Sequence, residues 1–172
     1  GGPMAATNPP KGSVSAGSIK PVTRKAVRCQ REVAWLVTQA AGKLVATTDD
    51  VNAPTPSFVL AAALSYTRER EQAAQDAART IDYEAVMSPD LASFCQTAGL
   101  PAAPNALADS GYMFTLSGAD LIRDIYAYCG DLSERMGDAV QVKPGYAIKL
   151  ALRMFLLGDA SAANASDSKA SA

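Results

Sequence analysis

The side chains whose type and spacing best suit them to chemistry are cationic. Between Lys11 and Arg31 the chain carries six basic residues, Lys11, Lys20, Arg24, Lys25, Arg28 and Arg31, and no acidic one. The remaining ten basic residues face all seventeen acidic ones, so a basic arm precedes a body of net −7, although the whole chain stands at −1. Cations gathered in this way neutralise phosphates, acidic lipid or an acidic protein surface. Their plain structural use is a solvated tether. Three further features join the list of candidate partner or nucleic-acid contacts. They are Trp35, the polar stretch Arg68 to Gln72 with Arg68 and Arg70, and the Lys149/Arg153 pair, which forms one polar stripe on a helix.

Other chemistries have little to work with. The chain has no histidine, which removes the commonest general base and metal ligand. Its three cysteines, Cys29, Cys95 and Cys129, form no C-x-x-C pair, so neither a zinc site nor a disulfide framework is expected. Buried thiols in a reducing, cytoplasmic setting are the simplest reading. No phosphate-binding glycine loop is present. Asp49-Asp50 reads as loop solvation, and Asp120 as a carboxylate complementing a helix N-terminus. The expectation is a protein with no catalytic residues, no cofactor and no metal. No run of 18 apolar residues occurs, so no membrane span is expected.

The elements that must carry these residues read as helices. Residues 1–23 form a flexible basic arm, with Gly1 to Pro3 resembling a tag scar ahead of Met4, and residues 158–172 form a low-complexity tail. The intervening 24–157 reads as one all-α domain, a compact bundle of about five helices. Apolar spacing predicts a first helix over 27–46, with Trp35 at the edge of its buried face. Thr55-Pro56 starts a second helix over 56–80, buried nearly all round in its first half. Ser88-Pro89 starts a third, 89–98, ended by Gly99. A fourth covers 118–136, with Ser117 and Asp120 as a capping box and Gly130 at a close helix crossing. A fifth runs over 144–157. Residues 81–87 are ambiguous, and YMFTL, 112–116, is a short strand or the lead-in to a helix.

Two of these helices repeat a theme. PSFVLAAAL begins at Pro56 and PGYAIKLAL at Pro144, 88 residues later. Aligned without gaps, residues 40–64 and 128–152 share six identities: Gly42/Gly130, Leu44/Leu132, Asp50/Asp138, Pro56/Pro144, Ala63/Ala151 and Leu64/Leu152. Each copy reads as amphipathic helix, polar loop and proline-started helix, which fits either two pseudo-repeated helix–loop–helix units or two proline-started buried helices that arose independently. With RKAVR before the first unit and YMFTL before the second, the order resembles tandem ribbon–helix–helix DNA-binding proteins. That resemblance implies a strand pair that meets DNA through its basic segment. The chain departs from the pattern in its long inter-helix gap and in a YMFTL segment without polar residues to read bases.

The sequence therefore points first to a non-enzymatic intracellular interaction, adaptor or assembly protein, acting on a protein partner or on itself. The alternative is a nucleic-acid-binding protein of plasmid, phage or viral type, using residues 11–31.

Overall fold

The computed structural model describes residues 20–48, 52–105, 107, 109, 111–137 and 139–158. Among these, the fold is mostly helical and is joined by one small sheet. In chain order the elements are β1 (Arg24–Cys29), α1 (Glu32–Ala46), α2 (Pro56–Asp76), α3 (Tyr83–Val86), α4 (Leu91–Ala98), β2 (Tyr112–Ser117), α5 (Ala119–Arg135) and α6 (Pro144–Leu157).

The two strands correct the all-α expectation. Where helical spacing predicts a helix from residue 27, the chain forms β1, and helix begins only at Glu32. The cause lies in a partner strand 83 to 93 residues away. Strands β1 and β2 pair antiparallel, from Arg24 opposite Ser117 to Cys29 opposite Tyr112. Alternation does the sorting. Val27 and Cys29 of β1, and Phe114 and Leu116 of β2, enter the core, while Arg24, Ala26, Arg28, Met113, Thr115 and Ser117 stay exposed. The amide of Gly118 donates to the Thr23 carbonyl at 2.8 Å, extending the ribbon by one rung. Gly118 has φ +107°, a conformation that favours glycine, and turns the chain straight into α5. It leaves Ser117 no role as a cap.

Helix α6 sits at the centre. Ala147, Ile148 and every residue from Leu150 to Leu157 are buried, and the helix packs against α1, α2, α3, α4, α5 and β1. Helix α2 matches its predicted start. The Thr55 hydroxyl accepts from the Phe58 amide, and Pro56 follows at the first turn. It is not buried all round, however. Val59, Leu60, Ala63 and Leu64 face the core, while Phe58 is 61% exposed. Thr67 ties the two helices together, its hydroxyl lying 2.7 Å from the Ala63 carbonyl and 3.2 Å from that of Ala151. The ambiguous 81–87 segment holds the single turn α3. In α4 the cap is Asp90 rather than Ser88, accepting from the Ala92 and Ser93 amides, and Gly99 closes the helix at φ +69°.

The N-termini of α2 and α6 flank the ribbon. The Ser57 hydroxyl accepts from the Ser117 amide at 2.9 Å and donates to the Thr115 carbonyl at 3.3 Å, occupying edge groups that a two-stranded sheet leaves unpaired. Gly145, 88 positions on, approaches the other strand. A Cβ there would fall 2.6 Å from the Arg28 carbonyl oxygen. Close approach is therefore the business of Gly145 and not of Gly130, around which nothing lies within 4 Å. Gly145→Ala is expected to cost about 1–3 kcal/mol, because the obstacle is ribbon backbone. Gly130→Ala, at an exposed helical position, is expected to stabilise by about 0.5–1 kcal/mol. Thermal unfolding of the two variants checks both signs.

Buried positions correspond between the helix pairs at the same spacing: Val33 with Leu121, Val37 with Ile125, Val59 with Ala147, Leu60 with Ile148 and Ala63 with Ala151. The strands do not obey it. Inward residues are odd-numbered in β1 and even-numbered in β2, so they correspond one residue out of step.

Candidate functional site

The exposed ribbon face gathers the first cluster of candidate residues. Along it, Arg24 sits across from Ser117, Ala26 from Thr115 and Arg28 from Met113. All six are exposed, and Met113 is 51% so. Lys25 belongs to the inward phase but lies at the ribbon end, exposed, with its ammonium 5.5 Å from the centre of the Tyr126 ring. Lys20 is exposed just ahead of β1. Lys11, like Asp49 and Asp50, lies outside the described residues.

Arg31 closes the arm differently. Its guanidinium pairs with Asp109 at 2.8 Å. The amides of Arg31 and Glu32 donate to the carbonyls of Asp109 and Leu107 at 2.9 and 3.1 Å. Helix α1 has no side-chain cap, so this crossing segment supplies acceptors for its otherwise orphaned amides. Trp35 is half-buried against the core, in a shallow cleft with Arg31, Leu107 and Tyr112, as an edge-of-core residue.

The Lys149/Arg153 stripe is not a surface feature. Arg153 is 1% exposed. Its Nε and Nη2 donate to Glu32 Oε2 at 3.0 and 2.9 Å, its Nη1 donates to the Val86 and Ser88 carbonyls at 2.9 and 2.8 Å, and its guanidinium lies 4.6 Å from the centre of the Phe94 ring. Lys149 donates to Gln30 Oε1 at 2.8 Å and lies 3.5 Å from Glu32 Oε1. Burial holds its ammonium below the usual lysine range, with Glu32 pulling the other way. The physical reason is topological. A helix surrounded on every side has no solvent face, so its two cations must find partners inside.

Arg68 belongs to a second polar cluster, between α2 and α5, of which Arg70 is not part. Arg68 pairs with Asp131 and lies 4.7 Å from the centre of the Tyr128 ring, and Arg70 is half-buried. At the centre of this cluster is Glu71, which lies in the polar stretch Arg68 to Gln72 but not among its candidate contacts. It accepts from Tyr83 and Tyr128 hydroxyls at 2.7 and 2.8 Å and from both terminal nitrogens of Arg135 at 2.9 and 3.2 Å. Burial, reinforced by the Glu71 carboxylate, pushes both tyrosines well above their usual range. An open cleft of about 560 Å³ runs over these groups. Each charge in the Glu71, Arg135, Arg68 and Asp131 set is answered by its neighbour, so the cluster clamps α2, α3 and α5 together.

All three cysteines are free and buried. Burial pushes the Cys29 and Cys129 thiols from 9.0 up to about 11. A thiol that keeps its proton longer when folded supports the fold below pH 9 and loses that support as pH rises to about 11. Each shift corresponds to on the order of 2–3 kcal/mol, and the two tyrosines act in the same direction at higher pH. Stability in urea is therefore expected to hold from pH 7 to 8.5 and to fall steeply above pH 9. Replacing Cys29 and Cys129 with alanine should flatten that fall.

Among the described residues no group of histidine, cysteine and carboxylate side chains is placed to hold a metal, and no helix is long and apolar enough to cross a membrane. No family model matches the chain, and neither a curated protein nor a solved structure resembles it significantly.

Proposed function

We propose that this chain binds duplex DNA, without catalysis, through the outer face of its two-stranded ribbon. One observation carries the reading: an antiparallel ribbon, its outer face exposed among the described residues, presents Arg24, Arg28, Thr115 and Ser117 outward, with Lys20 and Lys25 at its end. The major groove admits a two-stranded ribbon, and such ribbons read base edges through their outward side chains. The N-termini of α2 and α6, seated at the ribbon edges, add positive helix-dipole ends where flanking phosphates would pass. The arrangement resembles a single-chain ribbon–helix–helix protein, and under this proposal the two helix–loop–helix units are pseudo-repeats of one ancestral unit. Three free, buried thiols support an intracellular, cytoplasmic site of action.

Titration of labelled duplex and single-stranded DNA at two salt concentrations tests the proposal. With about four phosphates neutralised, affinity for duplex should fall roughly 100-fold between 50 and 200 mM salt. Absence of duplex binding at the lower salt would sink it.

A second reading, protein assembly, draws on a different observation. Phe58 and Tyr146, at matching places on α2 and α6, are 61% and 37% exposed, and Met113 lies on the ribbon face between them in sequence. Light scattering on the purified chain separates the readings: self-association that survives Phe58→Ser and Tyr146→Ser counts against these residues as the contact.

A further inference from the structure

Resting on the DNA-binding reading above, we propose that the preferred duplex is non-palindromic, with guanine contacts made from β1 alone and thymine-methyl contacts dominating from β2. The two strands offer different chemistry on the same face. Strand β1 presents Arg24, Ala26 and Arg28, and β2 presents Met113, Thr115 and Ser117. Arginine forks onto the O6 and N7 of guanine, whereas small apolar groups and the threonine methyl meet the methyl of thymine.

A protein made of two identical subunits imposes its two-fold symmetry on the site it reads. This ribbon comes from one chain and is free of that constraint. Any two-fold axis of an antiparallel pair carries an outward residue of β1 onto an outward residue of β2. Here such an exchange places arginine onto methionine, threonine or serine, and never onto arginine, because β2 carries no charged side chain. The asymmetry is therefore built into the reading head.

The spacing also has a consequence. Arg24 and Arg28 are four residues apart on one strand, roughly 13 Å, which spans roughly three to four base-pair steps. The structure thus points to two guanine positions separated by about that distance, with A·T pairs favoured beneath Ala26 and Thr115.

Selection of bound sequences from a randomised duplex library, using the full chain, reads this directly. The expected consensus has no dyad and two guanine positions three to four base pairs apart. Arg28→Ala should relax one guanine position, lowering its discrimination roughly 10- to 100-fold. Arg28→Lys separates base reading from charge. It should keep binding strength at low salt while losing the same guanine preference, since an ammonium lacks the planar fork. A palindromic consensus, or duplex binding with no enriched sequence, overturns the inference while leaving DNA binding in place. Failure of the library to be retained at low salt overturns the underlying reading instead.

Discussion

Glu32→Ala is expected to lower stability by about 3–5 kcal/mol, the cost of stripping the partner from a buried ion pair. That is a large part of the 5–15 kcal/mol typical of a whole domain, and the variant should unfold at a much lower urea concentration. The reason is geometric. One buried carboxylate answers both Arg153, at 2.9 Å, and Lys149, at 3.5 Å. Removing it leaves a guanidinium at 1% exposure with only carbonyl partners. The paired charges need not stabilise relative to an apolar core, because desolvation opposes their attraction. Glu32→Leu combined with Arg153→Met should therefore lie closer to the parent than Glu32→Ala alone. If Glu32→Ala unfolds at the parent's midpoint, the pair is not what organises the junction of α1, α3 and α6.

Arg24→Ala with Arg28→Ala is expected to weaken duplex binding about 100-fold at moderate salt while leaving thermal stability within about 0.5 kcal/mol of the parent. Two phosphate or base contacts of 1–3 kcal/mol each suffice for the first figure. The second follows from the exposure of both side chains, since a contact held in solvent contributes little. A matched change at Arg68 and Arg135, in the Glu71 cluster, should leave binding nearly unchanged. Loss of binding there and not at the ribbon would place the contact on the wrong face.

Helices with their own periodicity were legible in the sequence. Pro144 to Leu157 was read to the residue, and Thr55-Pro56 and Gly99 were recognisable punctuation. The strands were harder. RKAVRC has too few apolar residues to distinguish a strand from a helical turn, and its conformation is set by a partner strand 83 to 93 positions away. YMFTL is not without a polar residue to read bases: alternation turns Thr115 outward, together with Ser117, which lies one residue beyond the segment. The polar stretch Arg68 to Gln72 includes Glu71, but nothing local marks it as the buried centre of a cluster. Its partners Tyr128 and Arg135 lie 57 and 64 residues further on. Lys149 and Arg153 read as a surface stripe because four-residue spacing defines a face but not what covers it.

The most direct measurement is an amide NMR titration of the labelled chain with duplex DNA at low salt. The expected result is that shifts and broadening concentrate on Arg24–Cys29, Tyr112–Ser117 and the first turns of α2 and α6, while the amides around Glu71 and Arg135 stay in place. Perturbation centred on the Glu71 cluster, or an unperturbed ribbon at saturating duplex, would contradict the assignment of the ribbon as the nucleic-acid contact.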